Sequence, residues 1–373
     1  MKNKRKKRKE ALLSLNKVII SGGGTGGHIF PAVAIGNELK KQFPSIDILF
    51  IGALGRMEME KVPAAGFKII GLPIAGIQRR LTISNLLVPF KLIASILKAK
   101  KIIREFEPDI VIGVGGYASA AVLYAASTKK IPCLIQEQNS YAGLTNKWLS
   151  KKVNTICVAY QNMGKFFPQE KIIITGNPVR SDIAEAAKLN SKEAKKTLGF
   201  DAELPLVLVI GGSQGARTIN NSIQANLNDF SENNCQLLWQ TGKSFAPDTM
   251  SKKGLQALPF ISDMATAYAA ADLVISRAGA TSISELSLLG KPCILVPLPS
   301  AAEDHQTANA MALVNKNAAL IVKDSEANSQ LVSKAIALLK NAPLQSELSA
   351  NIKQFAQPDA LVNIVDQIKK LTR

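Results

Sequence analysis

Carboxylates are scarce in this chain of 373 residues. Asp and Glu number 28 against 46 Lys and Arg, which leaves a formal net charge of +18 at neutral pH. Aromatic residues are also thin, at 5%. The surplus of positive charge favours an anionic partner. The shortage of stacking platforms argues against nucleic acid as that partner. Cysteine is limited to Cys133, Cys157, Cys235 and Cys293, far apart and without a C-x-x-C pair. That points away from a disulfide frame or a zinc site, and toward buried packing residues in a reducing compartment. No Asp-x-Asp metal motif occurs. No apolar run reads as a membrane span. Residues 110–128 carry no charge, but Gly113, Gly115 and Gly116 interrupt them, and the pattern changes midway from β-branched to alanine-rich. A buried strand, a glycine turn and a buried helix account for that stretch better.

Part of the charge is local. Lys2, Lys4, Arg5, Lys6, Lys7, Arg8 and Lys9 crowd the start. The apolar stretch after them stops at Asn16-Lys17, and no small-residue cleavage site follows an adequate apolar core. Residues 1–16 therefore read as a mobile basic tail rather than a signal peptide. A solvated arm, attraction to anionic lipid at about 1 kcal/mol per basic residue, and a nucleic-acid contact are all open for it.

Hydrophobic residues make up 47%, enough for a sizeable core, and the length suits two domains. Strand-like runs fall at 17–21, 47–51, 68–71, 109–114, 132–136, 155–158 and 172–175. They resume at 206–210, 236–240, 258–261, 273–276, 293–296 and 319–322. Helical stretches between them include 31–42, 86–106, 281–289 and 306–314. This alternation predicts an α/β fold with parallel sheets covered on both faces. Gly176-Asn177-Pro178-Val179-Arg180 breaks the pattern. It separates an expected first domain, 17–178, from a second, 179–357. A final helix within 358–373 either stays with the second domain or packs back on the first.

Two glycine-rich turns follow strands. Ser21-Gly22-Gly23-Gly24-Thr25-Gly26-Gly27-His28 comes after an apolar run, and so does Gly211-Gly212-Ser213-Gln214-Gly215-Ala216. A strand that ends in glycines and opens a helix points backbone N–H groups at an anion. Two copies predict two Rossmann-like domains whose parallel sheets face each other across a deep cleft. Gly22-x-Gly24-x-x-Gly27 also matches the dinucleotide fingerprint. A nicotinamide dehydrogenase would want an acid at the end of the second strand, whereas Asp47 opens that strand. The only two histidines, His28 and His305, both lie inside motifs. His28 is either a base placed to take a proton near neutral pH or a structural cap of the turn. In the second half, Ser276-Arg277-Ala278-Gly279-Ala280-Thr281-Ser282 leads to Glu285 on the next helix. Its N–H groups suit phosphate, and a carboxylate at 285 suits two ribose hydroxyls or merely the helix dipole. Asp304 and Gln306 then bond sugar hydroxyls or cap the helix they open.

Together these motifs occur in order with Gly-Val-Gly-Gly-Tyr at 113–117, Gln136-Glu137-Gln138-Asn139 and Gly-Asn-Pro-Val-Arg at 176–180. From about Lys17 onward the chain resembles the peptidoglycan N-acetylglucosaminyltransferases of glycosyltransferase family 28. The resemblance implies a glycosyltransferase-B fold without a cofactor. It implies UDP-N-acetylglucosamine as donor and lipid I, undecaprenyl-diphospho-N-acetylmuramoyl-pentapeptide, as acceptor. The product would be lipid II, made peripherally at the cytoplasmic face of the inner membrane. Anionic lipid and other cell-wall synthesis proteins are further partners it allows, and nucleic acid is not among them. Carried over by motif, Thr25, Gly26, Gly27, Asn139, Arg180, Ser213, Ile261, Arg277, Gly279, Ala280, Thr281, Ser282, Glu285 and Gln306 would bind the donor. Ile261 would meet uracil, Glu285 the ribose and Gln306 the sugar. Gly24, Thr25, Gly115, Gly116 and Tyr117 would lie at the acceptor diphosphate. His28 would be the base of an inverting, metal-independent transfer. Two positions depart from the family: Gln136, where histidine is common, and Thr307, where a second glutamine often stands.

The segment 74–104 mixes Ile77, Leu81, Leu87 and Phe90 with Arg79, Arg80 and Lys91. It reads as a membrane-contacting surface, or as an ordinary helix with a core stripe and solvated lysines. The rival functions are a glycolipid transferase with another acceptor such as diacylglycerol, a UDP-sugar epimerase, and a basic nucleic-acid-binding protein.

Overall fold

A computed structural model describes residues 15–74, 88–212, 214–247, 251–301 and 304–372. Residues 1–14 of the basic tail, the 75–87 part of the membrane reading (Ile77, Arg79, Arg80, Leu81 and Leu87) and Ser213 lie outside the described residues. The chain divides into two compact units. One takes in the chain up to Pro178 and resumes at Asp359; the other is Val179–Pro358.

The first unit holds β1 (Lys17–Ser21), β2 (Asp47–Ala53), β3 (Lys68–Leu72), β4 (Ile110–Gly113), β5 (Cys133–Glu137), β6 (Thr155–Val158) and β7 (Ile172–Ile174). They form one sheet in the order β3-β2-β1-β4-β5-β6-β7, every described pair parallel. The order reverses between β1 and β4, which makes their carboxyl ends the switch point of the sheet. Runs such as Val18-Ile19-Ile20 and Ile110-Val111-Ile112 are fully buried, as a sheet covered on both faces requires. One face packs Ile19, Val111 and Ile135 against the alanine-rich helix Tyr117–Thr128. The other packs Val18, Ile20 and Ile112 against Ile29 and Ile35 of the helix Gly26–Gln42. Ile364, Val365 and Ile368 of the last helix, Ala360–Leu371, are buried in that same cluster. The end of the chain is thus part of the first unit's core.

The second unit repeats the plan with β8 (Leu206–Ile210), β9 (Gln236–Gln240), β10 (Ser251–Lys252), β11 (Leu255–Leu258), β12 (Leu273–Ser276), β13 (Cys293–Leu295) and β14 (Leu320–Ile321). The order is β10-β11-β9-β8-β12-β13-β14, and its switch point lies between β8 and β12. Only β10, paired with β11, runs antiparallel among the described strands. The strand expected at 258–261 sits three residues earlier. Pro259 has no N–H for the ladder, so β11 ends at Leu258 and Ile261 falls in the connection after it.

Candidate active site

In the first unit the glycine turn after β1 and the one after β4 start level with each other, because Ser21 pairs with Gly113. The two turns touch. Gly115 and Gly116 have φ of +102° and +87°, a region open chiefly to glycine. A Cβ on Gly116 would lie 2.5 Å from the Gly23 carbonyl oxygen, and one on Gly115 2.8 Å from Nε2 of His28. His28 stands on the first turn of the Gly26 helix, with Nδ1 3.0 Å from the Gly23 carbonyl. A carbonyl only accepts, so Nδ1 carries the proton in the neutral ring and Nε2 is the accepting nitrogen. Tyr117 opens the neighbouring helix and is half exposed.

Glu58, fully buried, fixes this arrangement from behind. It accepts from the Ala53 N–H at 3.0 Å and the Gly24 N–H at 2.9 Å. Gly24, expected at a diphosphate, therefore gives its N–H to a carboxylate instead. The groups left at the helix start are Thr25, Gly26 and Gly27. A Cβ on Gly23 would fall 2.1 Å from Glu58 Oε1, so that glycine is needed to admit the carboxylate.

Glu137 organises the loop that carries Asn139. It accepts from the Asn139 N–H at 3.0 Å, the Gly143 N–H at 3.0 Å and Asn146 Nδ2 at 2.9 Å. Gln136 is buried in an amide network. It donates to Asn177 Oδ1 at 3.0 Å and accepts from Gln138 Nε2. Asn177 Nδ2 returns a bond to the Gln138 carbonyl at 3.0 Å. The glutamine at 136 thus keeps a polar role.

In the second unit Ser276 pairs with Ile210, so the turns after β8 and β12 also start level. The helix Ala280–Leu289 begins after Gly279, and the hydroxyl of Thr281 on its first turn is buried, with no hydrogen-bond partner among the described residues. Glu285 lies one turn further on. Its Oε2 accepts from the hydroxyl of Tyr268, a fully buried residue, at 2.8 Å. Burial pushes the Glu285 carboxyl up to about 7, against the smaller opposing effects of the Tyr268 hydrogen bond and the Arg180 charge. Arg180 pairs with Asp182 at 3.2 Å. The structure thus brings Arg180, Asp182, Tyr268 and Glu285 together.

Arg277 has a different place. Its side chain is buried, and Nη1 donates to the Val296 carbonyl at 3.1 Å, the Pro297 carbonyl at 3.2 Å and Asp324 Oδ1. Asp324 also accepts from Thr218 at 2.9 Å. This arginine ties the turn after β12 to its surroundings, which leaves Arg180 as the half-exposed one. Ile261 is buried, and its N–H already donates to Gln240 Oε1 at 3.0 Å. Gln306 accepts from the Leu298 N–H at 3.0 Å through Oε1, leaving its amide nitrogen as the donor end. Thr307 donates to Asp304 at 2.7 Å and braces its own helix.

Both halves of the chain match family models: residues 18–158 the glycosyltransferase family 28 N-terminal domain, and residues 206–364 the family 28 C-terminal domain. A protein of Cytophaga hutchinsonii is 56% identical over 94% of this chain and 96% of its own length. The chain belongs to glycosyltransferase family 28. That relative, and one from Parabacteroides distasonis 53% identical over 95% of this chain and 98% of its own, are named UDP-N-acetylglucosamine–N-acetylmuramyl-(pentapeptide) pyrophosphoryl-undecaprenol N-acetylglucosamine transferase. The crystal structure of Acinetobacter baumannii MurG is 31% identical, with a TM-score of 0.74 over 95% of this chain and 99% of that one. This family 28 member is a glycosyltransferase with two parallel-sheet α/β domains of the glycosyltransferase-B kind. A putative UDP-N-acetylglucosamine 2-epimerase from Listeria monocytogenes shares the fold at 13% identity and a TM-score of 0.67, over 96% of each chain. Fold alone does not separate transferase from epimerase; the family match does.

The helix Val88–Phe106 divides cleanly. Ala99, Ile102 and Ile103 are buried, and Leu92 and Ile96 pack on the core. Phe90, Ile93 and Leu97 are 71%, 58% and 62% exposed, at a spacing that puts them on one face. Lys91 is half-buried. Leu144 and Trp148, which the sequence reading passed over, are also exposed. They stand on the helix Leu144–Leu149, packed beside the Tyr117 helix, which in turn packs on Val88–Phe106. No helix among the described residues is long and apolar enough to cross a membrane.

Proposed function

We propose that this chain transfers N-acetylglucosamine from UDP-N-acetylglucosamine to the C4 hydroxyl of the muramoyl sugar in lipid I. The product is lipid II, formed with inversion, by a peripheral enzyme at the cytoplasmic membrane face. The names of relatives more than half identical over nearly the whole length support both substrates. The observation that carries the donor assignment is the start of the Ala280 helix, in a turn level with the glycine turn after β8 and with Glu285 on its second turn. A diphosphate oxygen accepts from the N–H groups of residues 280–282, while the Glu285 carboxylate takes the ribose hydroxyls. Arg180 adds positive charge as the leaving UDP gains negative charge. Gln306 and Asn139 are assigned to the donor sugar. Thr25, Gly26 and Gly27 are assigned to the donor and acceptor phosphates, and Gly115, Gly116 and Tyr117 to the acceptor diphosphate. Nε2 of His28 takes the proton of the attacking hydroxyl.

The test is transfer of labelled N-acetylglucosamine to lipid I or a short-chain analogue, without added metal, with diacylglycerol as a competing acceptor. Labelled lipid product with stoichiometric UDP supports the proposal. UDP-sugar binding with transfer only to diacylglycerol changes the acceptor. His28→Ala lowers kcat by about 100-fold or more and leaves UDP affinity in place; unchanged turnover removes His28 as the base.

A further inference from the structure

The last residue of β9 carries one side-chain amide that is bonded at both ends. Gln240 is buried. Its Oε1 accepts from the Ile261 N–H, and its Nε2 donates to the Gly212 carbonyl, each at 3.0 Å. Gly212 lies in the turn after β8, and Ile261 beyond the end of β11. The segment from Gln240 to Gly242 rests directly on that turn. A Cβ on Gly215 would lie 2.1 Å from the Thr241 carbonyl oxygen, and one on Gly242 2.4 Å from the Gln214 oxygen. Both glycines have positive φ. Asn220, on the helix that follows the turn, donates to the Thr241 carbonyl at 2.7 Å and accepts from Trp239 Nε1 at 3.0 Å.

We infer that Gln240 is a positioning residue that couples base recognition at Ile261 to the shape of the diphosphate turn at Gly212. The inference rests on the donor reading above and on what the resemblance implies, Ile261 at uracil and Ser213 of the turn after β8 at the donor. A carboxamide is a rigid plane, so neither Ile261 nor Gly212 can shift without the other losing its partner in a poorly solvated place. With its N–H held by Gln240, Ile261 meets a base through its carbonyl, an acceptor, and the N3–H of uracil is the matching donor. A base seated on that carbonyl therefore finds the diphosphate turn already set.

Two substitutions in the full chain separate the two bonds. Gln240→Glu keeps an acceptor for the Ile261 N–H and loses the donor to Gly212. Gln240→Met loses both at similar volume. Uridine and UDP are each competed against labelled UDP-N-acetylglucosamine. In Gln240→Glu, uridine affinity stays within about threefold of wild type and UDP affinity falls about tenfold or more. Gln240→Met weakens both, with the donor KM rising more than kcat falls. Uridine and UDP changing by one factor in Gln240→Glu, in step with melting temperature, would make Gln240 an ordinary buried polar residue. UDP affinity unaltered in Gln240→Met would assign the Gln240→Glu loss to charge repulsion and overturn the coupling. A wild-type chain with no affinity for UDP removes the donor assignment itself, a result distinct from either.

Discussion

Glu285 sits on an electrostatic balance that donor binding, as proposed, would tip. Burial raises its carboxyl to about 7, while the Tyr268 hydrogen bond and the Arg180 charge pull the other way. Ribose hydroxyls donate to a carboxylate, so the ionised form is the one that binds. Its population grows as pH rises through 7 and levels off above. Donor affinity is expected to follow, falling about tenfold between the plateau and pH 6. Tyr268→Phe removes a bond that favours ionisation and moves the midpoint upward. Glu285→Gln flattens the profile at weak affinity. Calorimetric titration of UDP from pH 5.5 to 8.5 reads all three, and a flat wild-type profile would end this account. His28 and Glu285 could be singled out as candidates from the sequence because each lies within a few residues of a glycine turn. Glu58, Tyr268 and Gln240 could not. Their partners stand 34, 17 and 21 residues away, brought near only by sheet pairing and helix packing. Nothing in the local pattern marks them.

At the scale of elements, sequence periodicity was most informative where strands are buried on both faces. Runs such as Leu206–Ile210 appear at their observed bounds. It failed at residues 258–261, where an apolar stretch crosses a proline and the ladder ends. The helix Val88–Phe106 shows how composition and position divide the work. Its apolar residues looked like one mixed set, but burial separates a core stripe from an outward row. Phe90, Ile93 and Leu97 form that row, near Lys91, Lys98, Lys101 and Arg104 on the same helix. Exposed apolar side chains among basic residues suit a lipid headgroup layer. Replacing Phe90, Ile93 and Leu97 with Ser removes about 1 kcal/mol of insertion from each even for shallow burial. Binding to phosphatidylglycerol vesicles is then expected to drop on the order of a hundredfold, with UDP affinity unchanged. Sedimentation with vesicles checks it. Equal binding by wild type and the triple variant would make the row ordinary solvent-exposed surface.

At the scale of the molecule, the order of the chain and the order of the cores differ. The chain builds the first unit, then all of the second, and returns for one helix. Ile364, Val365 and Ile368 share a cluster with Val18, Ile20 and Ile29, so the strand that ends in the His28 turn leans on a helix from beyond the second unit. Truncating a buried Ile to Ala costs about 2–5 kcal/mol, and a domain's whole stability is about 5–15 kcal/mol. Ile364→Ala with Ile368→Ala therefore takes a large part of the first unit's margin, because the cluster they belong to is the first unit's own. Hydrogen exchange is expected to show lost protection in β1, β2 and β4, although these lie more than two hundred residues away in sequence. Protection in β8, β9 and β12 stays, UDP still binds, and transfer to the lipid acceptor falls. Loss of protection in both sheets together would mean that the units unfold as one. Loss confined to β8 and β12 would contradict the packing of this helix outright.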